Sequence, residues 1–226
     1  MARAVTSRVP ASGDGAIPSL AEQAYHAIRD LIVTLELPPG APVREPELVV
    51  QLGIGRTPIR EALRRLAQER LVEVFPRRGI FVTTVDVRDL VRLCEVRAVL
   101  EPEAARLAAE RATQDDLDEL HELLAVLELR RRRDDRWLIE LDERIHRTIY
   151  RASHNQFLAE TLDEYYAHAR RIWMLALART DLRTAVDEHA ELLDAILRGR
   201  GDRAAELMRA HVETFEEAMR DVLLAS

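Results

Sequence analysis

The stretch from Gly53 to Val82, GIGRTPIREALRRLAQERLVEVFPRRGIFV, decides the fold of the N-terminal part of the chain. Thr57 can N-cap a helix, and Pro58 suits its first position, where the missing N–H would be unpaired anyway. Ile59, Ala62, Leu63 and Leu66 then recur at helical spacing and form one apolar stripe, with Arg60, Glu61, Arg64 and Arg65 on the other faces. After Glu69-Arg70 the period changes to two. Val72 and Val74 alternate with Glu73 and Phe75, and Ile80 and Val82 do the same beyond the turn Pro76-Arg77-Arg78-Gly79. A helix joined to a short basic hairpin is the layout of a winged helix-turn-helix, whose second helix enters the major groove of DNA.

The residues upstream complete that domain. Ser19-Leu20-Ala21-Glu22 reads as a capping box. Leu20, Ala24, Ala27, Ile28, Leu31 and Leu35 make an apolar face, so a helix is expected over 19–36, ended by Leu37-Pro38-Pro39-Gly40. Glu47 to Leu52 forms a short second helix, and Gly53-Ile54-Gly55 is the glycine-bearing turn before the third. The expectation for this part is a winged helix-turn-helix over 18–84, with three helices and a small β-hairpin wing.

Beyond Thr84 the chain holds only two glycines, Gly199 and Gly201, and one proline, Pro102. Helices are expected near 87–112 (bent or split at Pro102), 114–132, 135–153, 155–179, 183–198 and 202–224. Such a run with short connections is an all-α antiparallel bundle, here over 85–226. The fold class is therefore mostly α, a winged helix-turn-helix followed by a helical bundle.

Charge divides the labour between the two parts. Residues 1–85 carry 11 Arg against 9 acidic residues, net +2, and residues 86–226 carry 22 Arg against 31 acids, net −9, which together give the chain's −7. Phosphate repels the acidic part, so DNA contact is confined to the front domain. Arginine rows on helices are usually solvated, as expected for Arg64, Arg65 and Arg70. Arg56, Thr57 and Arg60 lie at the end of the helix that reaches base edges, and Arg77, Arg78 and Gly79 form the wing tip. These six are the expected DNA-binding residues, because arginine forks match guanine or phosphate oxygens. The run Arg130 to Arg133, followed by two aspartates, reads as a solvated helix end.

Other classes are bounded by composition. No stretch of about 18 apolar residues is present, so no membrane span is expected. Residues 1–17 lack the apolar core of a signal peptide and read as a disordered leader. The single cysteine, Cys94, reads as a buried inert thiol, and nothing requires an oxidising compartment. A cytoplasmic location is expected.

The helical part holds a second constellation. Asp142 and His146 are four apart and project from one helix face. His189 follows Glu188 on a later helix, and His211 lies on the last one. Four such groups from three helices can converge on a bundle core, where metal sites are often built. The alternative is that they are ordinary core or surface histidines, the reading given to His26, His121, His154 and His168. Spacing alone leaves both readings open.

The wording of the chain also resembles a known family. PPG, a short E-x-x-L helix and LGIGRTPIREALRRLAQERLVEVFPRRGIFV resemble, over about residues 20–85, the N-terminal domain of the GntR family of bacterial transcription regulators. Two positions depart from the family's pattern: Pro46 stands where arginine is frequent, and Gly55 where serine is frequent. The C-terminal segment resembles the FCD effector domain of the FadR-type branch, through VRAVLEPEAARLAA, DERIH with Asn155 nine residues past the histidine, and EHAELLDAILRGRGDRAAELMRAH. The resemblance implies that Asp142, His146, His189 and His211 bind a divalent metal. Such a donor set suits Zn²⁺ first, with Ni²⁺, Mn²⁺ or Fe²⁺ also fitting.

Arg97, within the VRAVLE text, is read either as half of a carboxylate clamp for an effector or as an intrahelical partner of Glu101, the latter contributing about 0.3–0.5 kcal/mol. Asn155 is read as lining the pocket or capping the next helix, with the cap preferred. The expected function is a metabolite-responsive regulator, a repressor in the usual case for the family. Its expected partners are double-stranded operator DNA, a small carboxylate metabolite and a second copy of the chain, since one winged helix covers a half-site. The alternative is a metal-dependent hydrolase fused to a DNA-binding module. That reading needs a general acid or base beside the ion, and Glu143 and Glu188, adjacent in sequence to ligands, point about 100° away on a helix.

Overall fold

The structure, a computed structural model, describes residues 18–128, 134–177 and 183–224. The expected leader over 1–17 and the arginine run 130–133 lie outside the described residues. The chain falls into two compact units, with the boundary between Thr84 and Val85.

The first unit runs α1 (Leu20–Val33), β1 (Pro42–Val43), α2 (Glu45–Leu52), α3 (Arg56–Gln68), β2 (Val72–Phe75) and β3 (Gly79–Val82). Ser19 caps α1, its Oγ accepting from the Glu22 N–H at 3.2 Å. This helix stops at Val33 rather than at the expected 36: Thr34 closes the last turn through its hydroxyl on the Asp30 carbonyl, and Leu35 leaves at φ +63°. The second helix starts at Glu45, earlier than expected, because Pro46 in a first turn forfeits no hydrogen bond. Its C-cap is Gly53 at φ +67°, a left-handed conformation that costs glycine little. The cap of α3 is Gly55, not Thr57, and Thr57 and Pro58 fall inside the first turn, where a missing N–H is equally harmless.

Ile28 and Ile32 of α1 pack with Ile59, Leu63 and Leu66 of α3, over Leu71, Val72 and Val82. Each such side chain withdrawn from water contributes roughly 1.5–3 kcal/mol. The wing is larger than the expected hairpin. Its β2 and β3 pair antiparallel with Val72 opposite Val82 and Val74 opposite Ile80, and β1 adds a third strand with Pro42 opposite Phe81. A two-residue strand containing proline carries no period that a sequence reading can detect, and its proline is tolerated because the strand is an edge. Arg65 is exposed, as expected, and it also makes a contact between helices. Its guanidinium lies 3.6 Å from the Tyr25 ring centroid and pairs with Glu69, so it fastens α3 to α1.

The second unit is helical in every element described: α4 (Val87–Arg111), α5 (Gln114–Glu128), α6 (Asp135–Ala152), α7 (Gln156–Ala176), α8 (Arg183–Leu197) and α9 (Gly201–Leu224). A capping box between Asp86 and Asp89 starts α4, and Asn155 caps α7 through its Oδ1 on the Leu158 N–H. The core gathers Leu90, Leu120, Leu123, Ile145, Ile149, Ile172, Leu193, Met208 and Phe215, with α4 lying along α9. Cys94 is buried there, and burial pushes its thiol up to about 12. No helix among the described residues is long and apolar enough to cross a membrane.

Pro102 does not split α4, contrary to one of the two expectations. It is buried inside a continuous helix. A proline there deprives the Ala98 carbonyl of its helical donor. Arg209 of α9 replaces it, donating from Nη1 to the Ala98 oxygen at 2.9 Å. Arg209→Ala should therefore lower stability by about 1 kcal/mol by leaving that carbonyl without a protein donor. Chemical denaturation checks this, and an unchanged midpoint would remove Arg209 from the account of how α4 tolerates proline.

Candidate metal centre and nucleic-acid interface

Asp142 and His146 project from one face of α6 into the bundle, where His189 of α8 and His211 of α9 meet them. All four are buried, and one donor atom from each lies within 4.8 Å of all the others. His146 Nε2 is 3.2 Å from His189 Nε2 and 3.3 Å from His211 Nε2. Asp142 Oδ1 is 3.6 Å from His189 Nε2 and 3.9 Å from His146 Nε2.

The surroundings of each group fix what it offers. His211 Nδ1 faces Glu188 Oε2 at 3.0 Å; a carboxylate only accepts, so Nδ1 holds the proton and Nε2 the lone pair. His146 Nδ1 lies 3.1 Å from the Tyr150 hydroxyl and 3.5 Å from Glu101 Oε2, which again places its lone pair on Nε2. The Tyr166 hydroxyl donates to Asp142 Oδ2 at 2.5 Å and leaves Oδ1, a buried carboxylate oxygen, without a hydrogen bond. Burial, and then the neighbouring histidines, hold the His146 pKa well below its ordinary value. Burial, and then His211, lower His189 to about 4. Both rings are therefore neutral at pH 7.

The lone pairs of His146 Nε2 and His211 Nε2, 3.3 Å apart, repel one another, and an orphaned buried carboxylate oxygen is costly. One divalent cation removes both penalties. Three imidazoles and a carboxylate are donors that such an ion accepts, and the outer hydrogen bonds from Tyr166 and to Glu188 are of the kind that orient metal ligands. The residues present thus fit a metal ion. Tyr150, Tyr166 and Glu101 were not picked out as parts of this cluster by sequence reading, because no pattern distinguishes a core tyrosine from a buttressing one. Glu188 was considered only as a base aimed at the ion. It is instead the partner of the far side of His211, while Glu143 is engaged with Arg147 and Arg170.

Arg97 pairs with Glu101 at 2.5 Å, with 2% and 0% of the two side chains exposed. The small contribution expected of a solvated pair therefore does not apply, since removing one partner of a buried pair costs about 3–5 kcal/mol. Burial opposes the guanidinium charge, but Glu101 outweighs it and raises the Arg97 pKa. Arg97 also lies over the Phe215 ring, and its Nη1 is buried without a hydrogen-bond partner. The other histidines are peripheral to the cluster. His154, for example, pairs with Asp116 at 2.8 Å.

In the first unit Arg56 and Thr57 are exposed in the first turn of α3, and Arg60 is exposed one turn on. Arg60 Nε donates to Glu45 Oε2 at 2.7 Å. At the wing tip Arg77, Arg78 and Gly79 are all exposed. The turn is tight, with Arg77 at φ +65° and Gly79 at φ +106°, and Arg78 stands over the Phe75 ring. The structure thus gathers Arg56, Thr57 and Arg60 on one helix and the other three in one turn.

Comparison with known proteins bears on both units. The model of the bacterial regulatory proteins of the gntR family matches residues 20–82, and that of the FCD domain matches residues 92–214. An HTH-type transcriptional regulator in an unstable DNA locus of Streptomyces ambofaciens is 34% identical, over 83% of this chain and 80% of its own. A probable D-xylose utilization operon transcriptional repressor of Paenarthrobacter nicotinovorans is 31% identical, over 83% of this chain and 85% of its own. Among solved structures, E. coli McbR/YncC superposes with a TM-score of 0.75 at 27% identity, covering 89% of this chain and 99% of that one.

The lowered histidine pKa values have a consequence for the metal-free protein. A ring whose folded pKa lies below 6.5 contributes stability that is complete above about pH 6.5 and is lost as pH falls toward the folded value. After chelation, stability should fall between pH 6.5 and about 4, with a slope of up to about 1.4 kcal/mol per pH unit for each ring. Thermal unfolding across that interval tests this, and a flat profile contradicts it.

Proposed function

As a member of the GntR family of bacterial regulatory proteins with an FCD domain, the chain is a transcription regulator, and we propose that its helical domain binds one divalent metal ion and a small organic acid that modulates operator binding. The single observation that carries this reading is the buried convergence of Asp142 Oδ1 with the Nε2 atoms of His146, His189 and His211. The matched families and relatives are regulators rather than enzymes, which gives the hydrolase alternative no support.

In this reading the four residues hold the ion, with Zn²⁺ favoured by the nitrogen-rich donor set. When bound, the ion supplies a Lewis-acidic centre that attracts an effector carboxylate. The chain's own residues do the rest. Tyr166 fixes the Asp142 carboxylate by one oxygen, Glu188 keeps His211 in the tautomer whose Nε2 faces inward, and Arg97 offers its unpaired Nη1 to the effector's second oxygen. The small acid then favours one arrangement of the protein over another, by no more than its differential affinity for the two.

The winged helix-turn-helix, over 18–84, is proposed to place Arg56, Thr57 and Arg60 in the major groove and Arg77, Arg78 and Gly79 against the adjacent backbone, in the cytoplasm. Repression is the action proposed, by analogy with the Paenarthrobacter relative's name. One winged helix reads a half-site, so the working form is a homodimer on a near-palindromic operator. Light scattering at micromolar concentration should give twice the 25.8 kDa chain mass without DNA and that mass plus the duplex with it, and a single chain in both would refute this.

The functional test couples the two units. Parent protein should carry one divalent ion per chain by elemental mass spectrometry, and His189→Ala should lose it while keeping a folded winged helix. Operator titrations with and without a panel of small carboxylates should show modulation in the parent and none in His189→Ala. An undiminished response in a variant verified to be metal-free would refute metal-dependent sensing.

A further inference from the structure

Arg60 is exposed on α3, yet its guanidinium is held. Its Nε donates to Glu45 Oε2 at 2.7 Å, from the first residue of α2, so the contact joins the two small helices. The arginine side chain is 61% exposed and the glutamate 27%. The other acid in the first turn of α2 is engaged elsewhere, with Glu47 pairing with Arg44 at 3.1 Å, and Pro46 between them carries no charge.

Stability does not explain the pair, because exposed ion pairs contribute little to it. Charge alone argues against it: a carboxylate beside a helix that approaches DNA opposes the phosphate attraction that drives binding. What the contact does is geometric. With Nε committed to Glu45, the guanidinium plane is fixed, and the edge formed by Nη1 and Nη2 stays available. Two parallel N–H groups in one plane are what guanine O6 and N7 accept in the major groove.

We propose that Glu45 is a positioning residue for base recognition, holding Arg60 by Nε so that its other edge meets a guanine. This rests on the reading that α3 enters the major groove. It assigns to an acidic side chain of α2 part of the sequence specificity that the arginine expresses.

The test uses the full-length protein and a random-sequence duplex DNA library, from which parent, Arg60→Ala and Glu45→Ala each select their preferred sites. The parent should require guanine at one position of each half-site, and Arg60→Ala should lose that requirement. Glu45→Ala should lose it at the same position, by about tenfold in relative affinity, a loss within the range of a bidentate base contact. Its affinity for unselected duplex should stay equal or rise, because a negative charge has gone. The double variant should discriminate no worse than Arg60→Ala.

Glu45→Asp keeps the charge but is one methylene shorter, so it too should relax the preference, which separates reach from charge and serves if the alanine variant does not fold. In the operator complex the Arg60 Nε–H resonance, identified by its loss in Arg60→Ala, should be protected from exchange in the parent and exchange freely in Glu45→Asp. Retained guanine preference in Glu45→Ala or Glu45→Asp overturns the proposal, as does a loss spread evenly over all sequences. If Arg60→Ala itself keeps the parent's preference, the groove assignment of Arg60 fails and this inference fails with it.

Discussion

The helical unit depends on one unfavourable arrangement: three imidazole nitrogens and a carboxylate oxygen turned toward each other in an otherwise apolar interior. Bundle cores exclude such groups unless something compensates them. Here compensation on the outer side is visible for three of the four groups. Tyr166 satisfies one Asp142 oxygen, Glu188 faces the outer nitrogen of His211, and Tyr150 and Glu101 flank that of His146. The inner side is left with lone pairs. Burial and the mutual repulsion of the rings disfavour their protonation, so the cluster resists charging by protons near neutral pH. The same burial that disfavours a proton leaves these atoms available to a cation.

The helix α4 supports the cluster from one side, and it does so with components that are individually costly. A buried arginine and glutamate sit one turn apart, immediately before a buried proline. The ion pair satisfies part of each charged group, and Arg209 restores the hydrogen bond that Pro102 removes. Glu101 faces both Arg97 and His146, which links the guanidinium to the imidazole cluster through one carboxylate. Alteration at Arg97 is therefore felt at His146 through an intermediate group, and not only through packing.

The winged helix-turn-helix solves a different problem. It presents long, flexible arginines to solvent and must still give them direction. Arg65 is directed by the Tyr25 ring and Glu69, Arg60 by Glu45, and Arg78 by the Phe75 ring. Arg56, at the exposed start of α3, lies where the helix N-terminus itself favours anions. An aromatic face or an acid beside an arginine limits its rotamers before any partner arrives.

Most of the architecture was legible in the chain because periodicity reports burial directly. The stripe Ile59, Ala62, Leu63 and Leu66 marked the face of α3, and alternation at Val72 and Val74 marked the wing. The spacing of Asp142 and His146 placed them on one helix face, His189 and His211 were grouped with them as one of two open readings, and resemblance to a family favoured the metal-binding one. Short or locally ambiguous features escaped: β1 has two residues, and the start of α3 could be capped from Thr57 or Gly55 because both satisfy the first turn. Which side chain stands beside which across helices was beyond the sequence. That Tyr166 reaches Asp142, Glu188 turns to His211, Arg209 serves a carbonyl on α4 and Glu45 holds Arg60 follows from helix packing. One chain's periodicity says which face is buried, but only the packed structure says what that face meets, because the partner comes from a segment tens of residues away and no local energy records it.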